Sequence, residues 1–107
     1  MPSSSIQSFV LPSTTGLSGW GNGYVSIPND SRWFGVEYDD IPVEVHGGLT
    51  FSDYADELLI LPDHIEPDTW VIGFDTNHAG DDLNNWPEEE VRKETLYLYL
   101  QIMELNQ

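Results

Sequence analysis

The chain has 107 residues, of which 19 are Asp or Glu and only three are basic, giving a formal net charge of -16 at neutral pH. That length fits one domain, and a hydrophobic content of 39% with four Trp, five Tyr and four Phe supplies one modest core, which excludes a wholly disordered chain. Arg32, Arg92 and Lys93 are too few to build a phosphate-neutralising footprint, so direct nucleic-acid binding and adsorption to anionic membranes are excluded, whereas fast association with a basic protein is favoured.

Cysteine is absent, which removes disulfides and thiolate metal sites. No apolar run approaches the roughly 18 residues of a membrane-spanning helix. The first residues lack the charged and apolar regions of a secretory signal, so a cytoplasmic protein is expected.

In chain order, Met1 to Gly19 is rich in Ser, Thr, Gly and Pro, with one short strand predicted around Ile6, Phe9, Val10 and Leu11. Gly21 to Gly23 reads as a turn, followed by a strand from Tyr24 in the segment YVSIP and a second turn over Pro28, Asn29, Asp30 and Ser31. Ile41 to Phe51 reads as a strand with Val43, Val45 and Leu49 apolar and with Gly47-Gly48 marking a bulge or a close backbone approach. Asp53 to Leu61 is ambiguous, with a short helix capped by Ser52 as one option. The run WVIGF from Trp70 to Phe74 predicts a buried strand. It gives way to polar turn residues from Asp75 to Asn85.

The closing segment predicts a helix. Asn85 is the expected cap, Pro87 falls in the first turn, and Glu88, Glu89 and Glu90 sit at the positive end of the dipole. Val91, Thr95, Leu98, Ile102 and Leu105 recur at helical spacing. Leu96 to Leu100 alternates Leu and Tyr, which suits a strand, but the capping signals and the length favour helix. Glu88 and Glu89 precede Arg92 and Lys93 by four residues, the favourable order for helical ion pairs. The whole pattern predicts an α+β fold, a small and mainly antiparallel sheet with one C-terminal helix on a face, in a single domain over residues 1–107 with 1–19 loose or an edge strand.

The chemistry-bearing residues concentrate in two places. Asp75, His78 and Asp81 are spaced three apart after the buried strand, where a turn can aim a carboxylate and an imidazole at one point. His46 can approach from a neighbouring strand. Two imidazoles and one or two carboxylates suit Zn²⁺, and Asp82 is a spare ligand or a partner that orients an imidazole. The competing reading is a set of side chains that hydrogen-bond backbone groups in a tight turn. As a calcium loop the same residues fail, because Ala79 and Trp86 stand where oxygen ligands are needed. No nucleophile elbow and no phosphate-cradling loop is present. His64, between Pro62 and Pro67, reads as a surface loop residue, Trp70 as core, and Trp20 and Trp33 as core in preference to interface anchors.

The blocks GYVSIP (Gly23 to Pro28), VHGGLTFS (Val45 to Ser52) and WVIGFDTNHAGDD (Trp70 to Asp82), followed by the acidic helix, resemble a group of small proteins encoded in bacteriophage and prophage genomes. Those proteins carry a similar HGG(L/I)T(F/Y)S segment and a W-x-x-G-(F/Y)-D-x-x-H-x-G-D segment. Longer members have additional sequence between the first two blocks, which this chain lacks. The resemblance implies a phage origin and supplies no reaction.

Small acidic phage proteins are often inhibitors of host enzymes, anti-CRISPR proteins among them. The expected function is therefore an acidic inhibitor in an infected bacterial cytoplasm. Its partner would be a basic host defence protein such as the CRISPR nuclease Cas9. It would act as a DNA mimic or by docking elsewhere and preventing DNA loading, with zinc in a structural role. Asp39, Asp40, Asp53, Asp56 and Glu57 are the candidate partner-binding residues, and Glu88 to Glu90 form a third acidic run. The alternative is a metal-dependent hydrolase built on His46, Asp75, His78 and Asp81, for which no general base stands out. A virion component is a third possibility.

Overall fold

A computed structural model, which describes residues 5–14 and 18–106, has four strands and one α-helix. These are β1 (Gln7–Pro12), β2 (Gly21–Ile27), β3 (Phe51–Tyr54), β4 (Trp70–Phe74) and α1 (Glu88–Leu105). Every neighbouring pair is antiparallel, in the order β1-β2-β4-β3. The α+β architecture expected from the sequence is therefore the one observed.

All five residues of β4 are buried, because both faces of the sheet are covered. On one face Trp70, Ile72 and Phe74 join Val25 and Ile27 of β2 against Val91, Leu98 and Ile102 of α1. These helical residues, with Thr95, are the ones whose spacing predicted the helix. On the other face Val71, Tyr24 and Phe9 pack with Ala55 and Ile65 from the chain between β3 and β4. Strand alternation sorts these side chains, since successive residues point to opposite faces. Tyr24 stacks on Phe9 at 5.2 Å between ring centroids and meets the edge of Phe51 at 5.7 Å.

Four expectations are corrected. Gly21 to Gly23 is not a turn but the start of β2. Glycine is used there for close approach, since a Cβ on Gly23 would overlap Thr95 Oγ1 of α1 and the ring of Phe74. Ile41 to Phe51 forms no strand before Phe51. Its backbone finds partners on the helix instead: Gln101 accepts from Glu44 N at 2.9 Å and donates to Glu44 O at 2.7 Å, and Glu94 accepts from His46 N at 2.7 Å. Ile41 is buried, and Val43, Val45 and Leu49 lean on the helix-side core, so this segment completes the cover that α1 begins.

Asp53 to Leu61 is not a helix capped by Ser52. Asp53 and Tyr54 end β3, and Ala55–Glu57 is a single 3₁₀ turn. The Ser52 hydroxyl instead donates to Glu37 Oε1 and accepts from Tyr38 N, both at 3.1 Å. Finally, Pro87 rather than Asn85 is the residue at the N-cap of α1. Asn85 is occupied earlier, accepting from Asp82 N and donating to Gly80 O.

At its far end α1 is held by the turn over residues 31–33. Ser31 Oγ donates to Asn106 Oδ1 at 2.6 Å and Trp33 Nε1 donates to Leu105 O at 3.3 Å. Trp20 and Trp33 are half-buried against the core and Trp70 is fully within it, as expected. Among the described residues no helix is long and apolar enough to cross a membrane.

Truncating Leu98 or Ile102 to Ala should lower the unfolding free energy by about 2–4 kcal/mol each, through lost burial and a residual cavity. Gly23→Ala should cost on the order of 1–3 kcal/mol by overpacking. Leu96→Ala, on the outer face of the same helix, should stay within about 0.5 kcal/mol. Urea unfolding of the four variants checks this ordering.

Candidate functional site

His46 reaches its position through a turn closed by Gly48 N donating to Val45 O at 2.9 Å. Gly47 and Gly48 have φ of 71° and 81°, a backbone region that side-chain-bearing residues rarely adopt. Gly47 is constrained a second time, because a Cβ there would overlap the imidazole of His78. The two glycines of the HGG block thus let the 45–48 turn lie directly against His78, from the loop that follows β4.

The loop after β4 brings the other three residues in. His46 Nε2 lies 2.9 Å from each oxygen of Asp81. A carboxylate only accepts, so Nε2 carries the hydrogen in this contact. Asp81 also accepts from His78 N at 2.9 Å. Asp75 accepts from Thr50 Oγ1 and from Asn77 N, each at 3.0 Å. His78 Nε2 stands 3.1 Å from Asp75 Oδ1, but in a geometry that makes no hydrogen bond, and that nitrogen is buried without one. The two imidazoles meet edge to face at 5.4 Å, and His46 also lies over Trp86 at 4.2 Å.

The structure therefore gathers His46, Asp75, His78 and Asp81 into one cluster, arranged as two carboxylate–imidazole pairs. Among the described residues no three His, Asp or Glu side chains are set around a common ion-sized point. Asp82 is not a partner of either imidazole. It accepts from Asn84 N and Asn85 N and closes its own loop. His64 is exposed on the surface, as expected.

Asp81 is the most constrained member, with its side chain only 5% exposed. Burial alone would push its carboxyl up, but the hydrogen bonds from His46 and from the His78 amide, with the nearby imidazoles, outweigh that and hold it below the usual aspartate range. The bonds favour the charged form because they are made to the carboxylate.

The acidic candidates lie elsewhere. Through Ser52, the 3₁₀ turn Tyr38–Asp40 is tied to β3, the edge strand that carries Asp53. Asp56 and Glu57 follow in the next 3₁₀ turn, which is joined to the β4 side by Ala55 N donating to Thr69 O at 2.9 Å. Asp39, Asp40 and Asp53 thus come from two segments joined at the β3 edge, whereas Glu57 lines a surface groove with Leu11 of β1, Tyr24 of β2 and Asp75. Among the described residues no ion pair joins a cation to any of the acidic candidates. Arg92 pairs with Glu88 at 2.8 Å, Lys93 with Glu90 at 3.3 Å and Glu89 at 3.7 Å, and Arg32 lies over the Trp33 ring at 5.0 Å. No protein-family model, no curated protein and no solved structure matches this chain.

Sequence reasoning missed Thr50, Trp86 and Glu94 as parts of the cluster. Thr50 lies inside the VHGGLTFS block, which was a signal. Trp86 and Glu94 carried none, since their roles depend on where α1 starts relative to the 45–48 turn.

Asp81→Ala should cost about 1–3 kcal/mol, because it removes the acceptor of the half-buried His78 amide and of the half-buried His46 imidazole N–H, whereas Asp39→Ala should be near neutral. The folded-state pKa of Asp81 lies below the ordinary 3.8. Its stabilisation is therefore present above that value and lost as pH falls through the folded pKa. Unfolding free energies measured down through pH 4 should fall less steeply in Asp81→Asn than in the parent.

Proposed function

We propose that this protein is a phage-encoded acidic inhibitor that binds a basic host protein and that its contact surface is the β3 edge. The reading rests on one observation: Asp39, Asp40 and Asp53 come from two segments joined at the β3 edge, and among the described residues no cation is paired with them. Such a surface raises the association rate with a positively charged groove and selects against polyanions. With the resemblance to phage proteins, it favours a CRISPR nuclease, whose nucleic-acid channel is basic, as the target. Occupation of that channel or of the surface beside it blocks DNA loading.

A second reading is a zinc site on His46, Asp75, His78 and Asp81, structural or belonging to a hydrolase. The observation that favours it is the buried His78 Nε2 with no hydrogen bond, a group that native proteins usually satisfy. Zinc ligation would require His46 Nε2 to lose its proton and release Asp81, so binding would be coupled to proton release.

The inhibitor reading is tested by nuclease cleavage and binding assays over a salt series. Association should weaken steadily as salt rises. A variant with Asp39, Asp40, Asp53 and Asp56 changed to Asn and Glu57 to Gln should bind at least about tenfold more weakly, the scale of one or two lost charge contacts. A control neutralising Asp63, Asp82, Glu88, Glu89 and Glu104 removes the same charge and should bind almost as the parent does. Equal losses in the two variants, or no inhibition of any such nuclease, would defeat the reading. For zinc, elemental analysis after equilibration and dialysis should give near-stoichiometric metal that His78→Ala abolishes; metal-free protein would rule the site out.

A further inference from the structure

The helix α1 is apolar on two sides. Its inner face, Val91, Thr95, Leu98 and Ile102, is buried. On the opposite side Leu96, Leu100 and Met103 are 53%, 54% and 41% exposed. At about 100° per residue these three fall within an arc of roughly 60° facing away from the core. Tyr97, 48% exposed, borders them. Contiguous exposed apolar side chains of this kind mark an interaction surface, and nothing in the described chain covers this stripe.

We infer that α1 pairs with α1 of a second copy, antiparallel, through Leu96, Leu100 and Met103. The charge pattern selects this occupant. The stripe is not part of the acidic edge; it is flanked by both cations of the helix, Arg92 and Lys93, whose pairs with Glu88, Glu89 and Glu90 are exposed and leave their ammonium and guanidinium groups open to further contacts. In an antiparallel pair centred near Leu98, Leu96 of one copy lies level with Leu100 of the other, and Lys93 lies beside the second copy's Glu104. The symmetry repeats that complementary contact twice, as an isologous interface requires. An open groove lined by Pro87, Glu89, Arg92, Lys93 and Leu96 lies level with the second copy's Met103 and receives it. One helix stripe is a small interface, at the low end of specific contacts, and two bodies of -16 each repel at long range. The dimer is therefore weak and strengthens with salt, opposite in sign to the partner binding proposed above, on which it does not depend.

Sedimentation velocity from about 1 to 200 µM, the range expected of such an interface, should show a reversible dimer. It should tighten severalfold when salt is raised to about 0.5 M, where surface charges are screened. Leu100→Glu should abolish it with an unchanged circular dichroism spectrum. Lys93→Glu should weaken it, and Lys93→Glu with Glu104→Lys should restore it. A parent protein that stays monomeric across both series, or a dimer insensitive to Leu100→Glu, overturns the inference, and neither result bears on inhibition.

Discussion

A strand that is dry on both faces governs this molecule. Trp70 to Phe74 has no polar side chain to turn toward water, so it needs a hydrogen-bonding neighbour on each edge and an apolar layer on each face. β2 and β3 provide the edges. α1 together with the irregular segment 41–49 provides one layer, and the chain from Ala55 to Ile65 provides the other. A chain of this length has little else to spare. The loops that cover the strand are therefore the same loops that carry the acidic edge and the imidazole cluster.

That economy explains the 41–49 segment. It is apolar enough to be a strand, but before Phe51 it pairs with neither edge of the sheet. Its backbone groups are met by Gln101 and Glu94 on α1, side-chain partners replacing a ladder. The solution fixes His46 relative to α1 by one short hydrogen bond. It also fixes His46 relative to the loop after β4 by the contact with Asp81. The cluster is consequently a junction of three segments rather than a feature of one turn.

Much of the fold is legible in the amino-acid sequence, and the reasons are local. WVIGF is a short apolar run ending at once in polar turn residues, typical of a buried strand, and Val91, Thr95, Leu98 and Ile102 mark a helical face by spacing, with the acidic first turn and the segment's length deciding against a strand. The clustering of His46 with Asp75, His78 and Asp81 was also foreseen, since the HGG block and the post-strand turn each had a reason to bend. What was misread depends on tertiary contact. Gly21 and Gly23 signal turns by composition, yet serve close packing inside β2. Asn85 looked like a cap until Asp82 claimed its amide. The division of the site into two imidazole–carboxylate pairs, and the meeting of the 37–40 and 53–57 acidic runs through Ser52, follow from distances that no spacing in the chain encodes.

The tilted contact of His46 with Trp86 gives the cluster an optical window. An indole in contact with an imidazole changes its emission when that ring gains a proton, turns away or takes up a ligand. Trp86 packs at the margin of the helix-side core, one residue before the N-cap of α1, so this indole is shared between the cluster and the core.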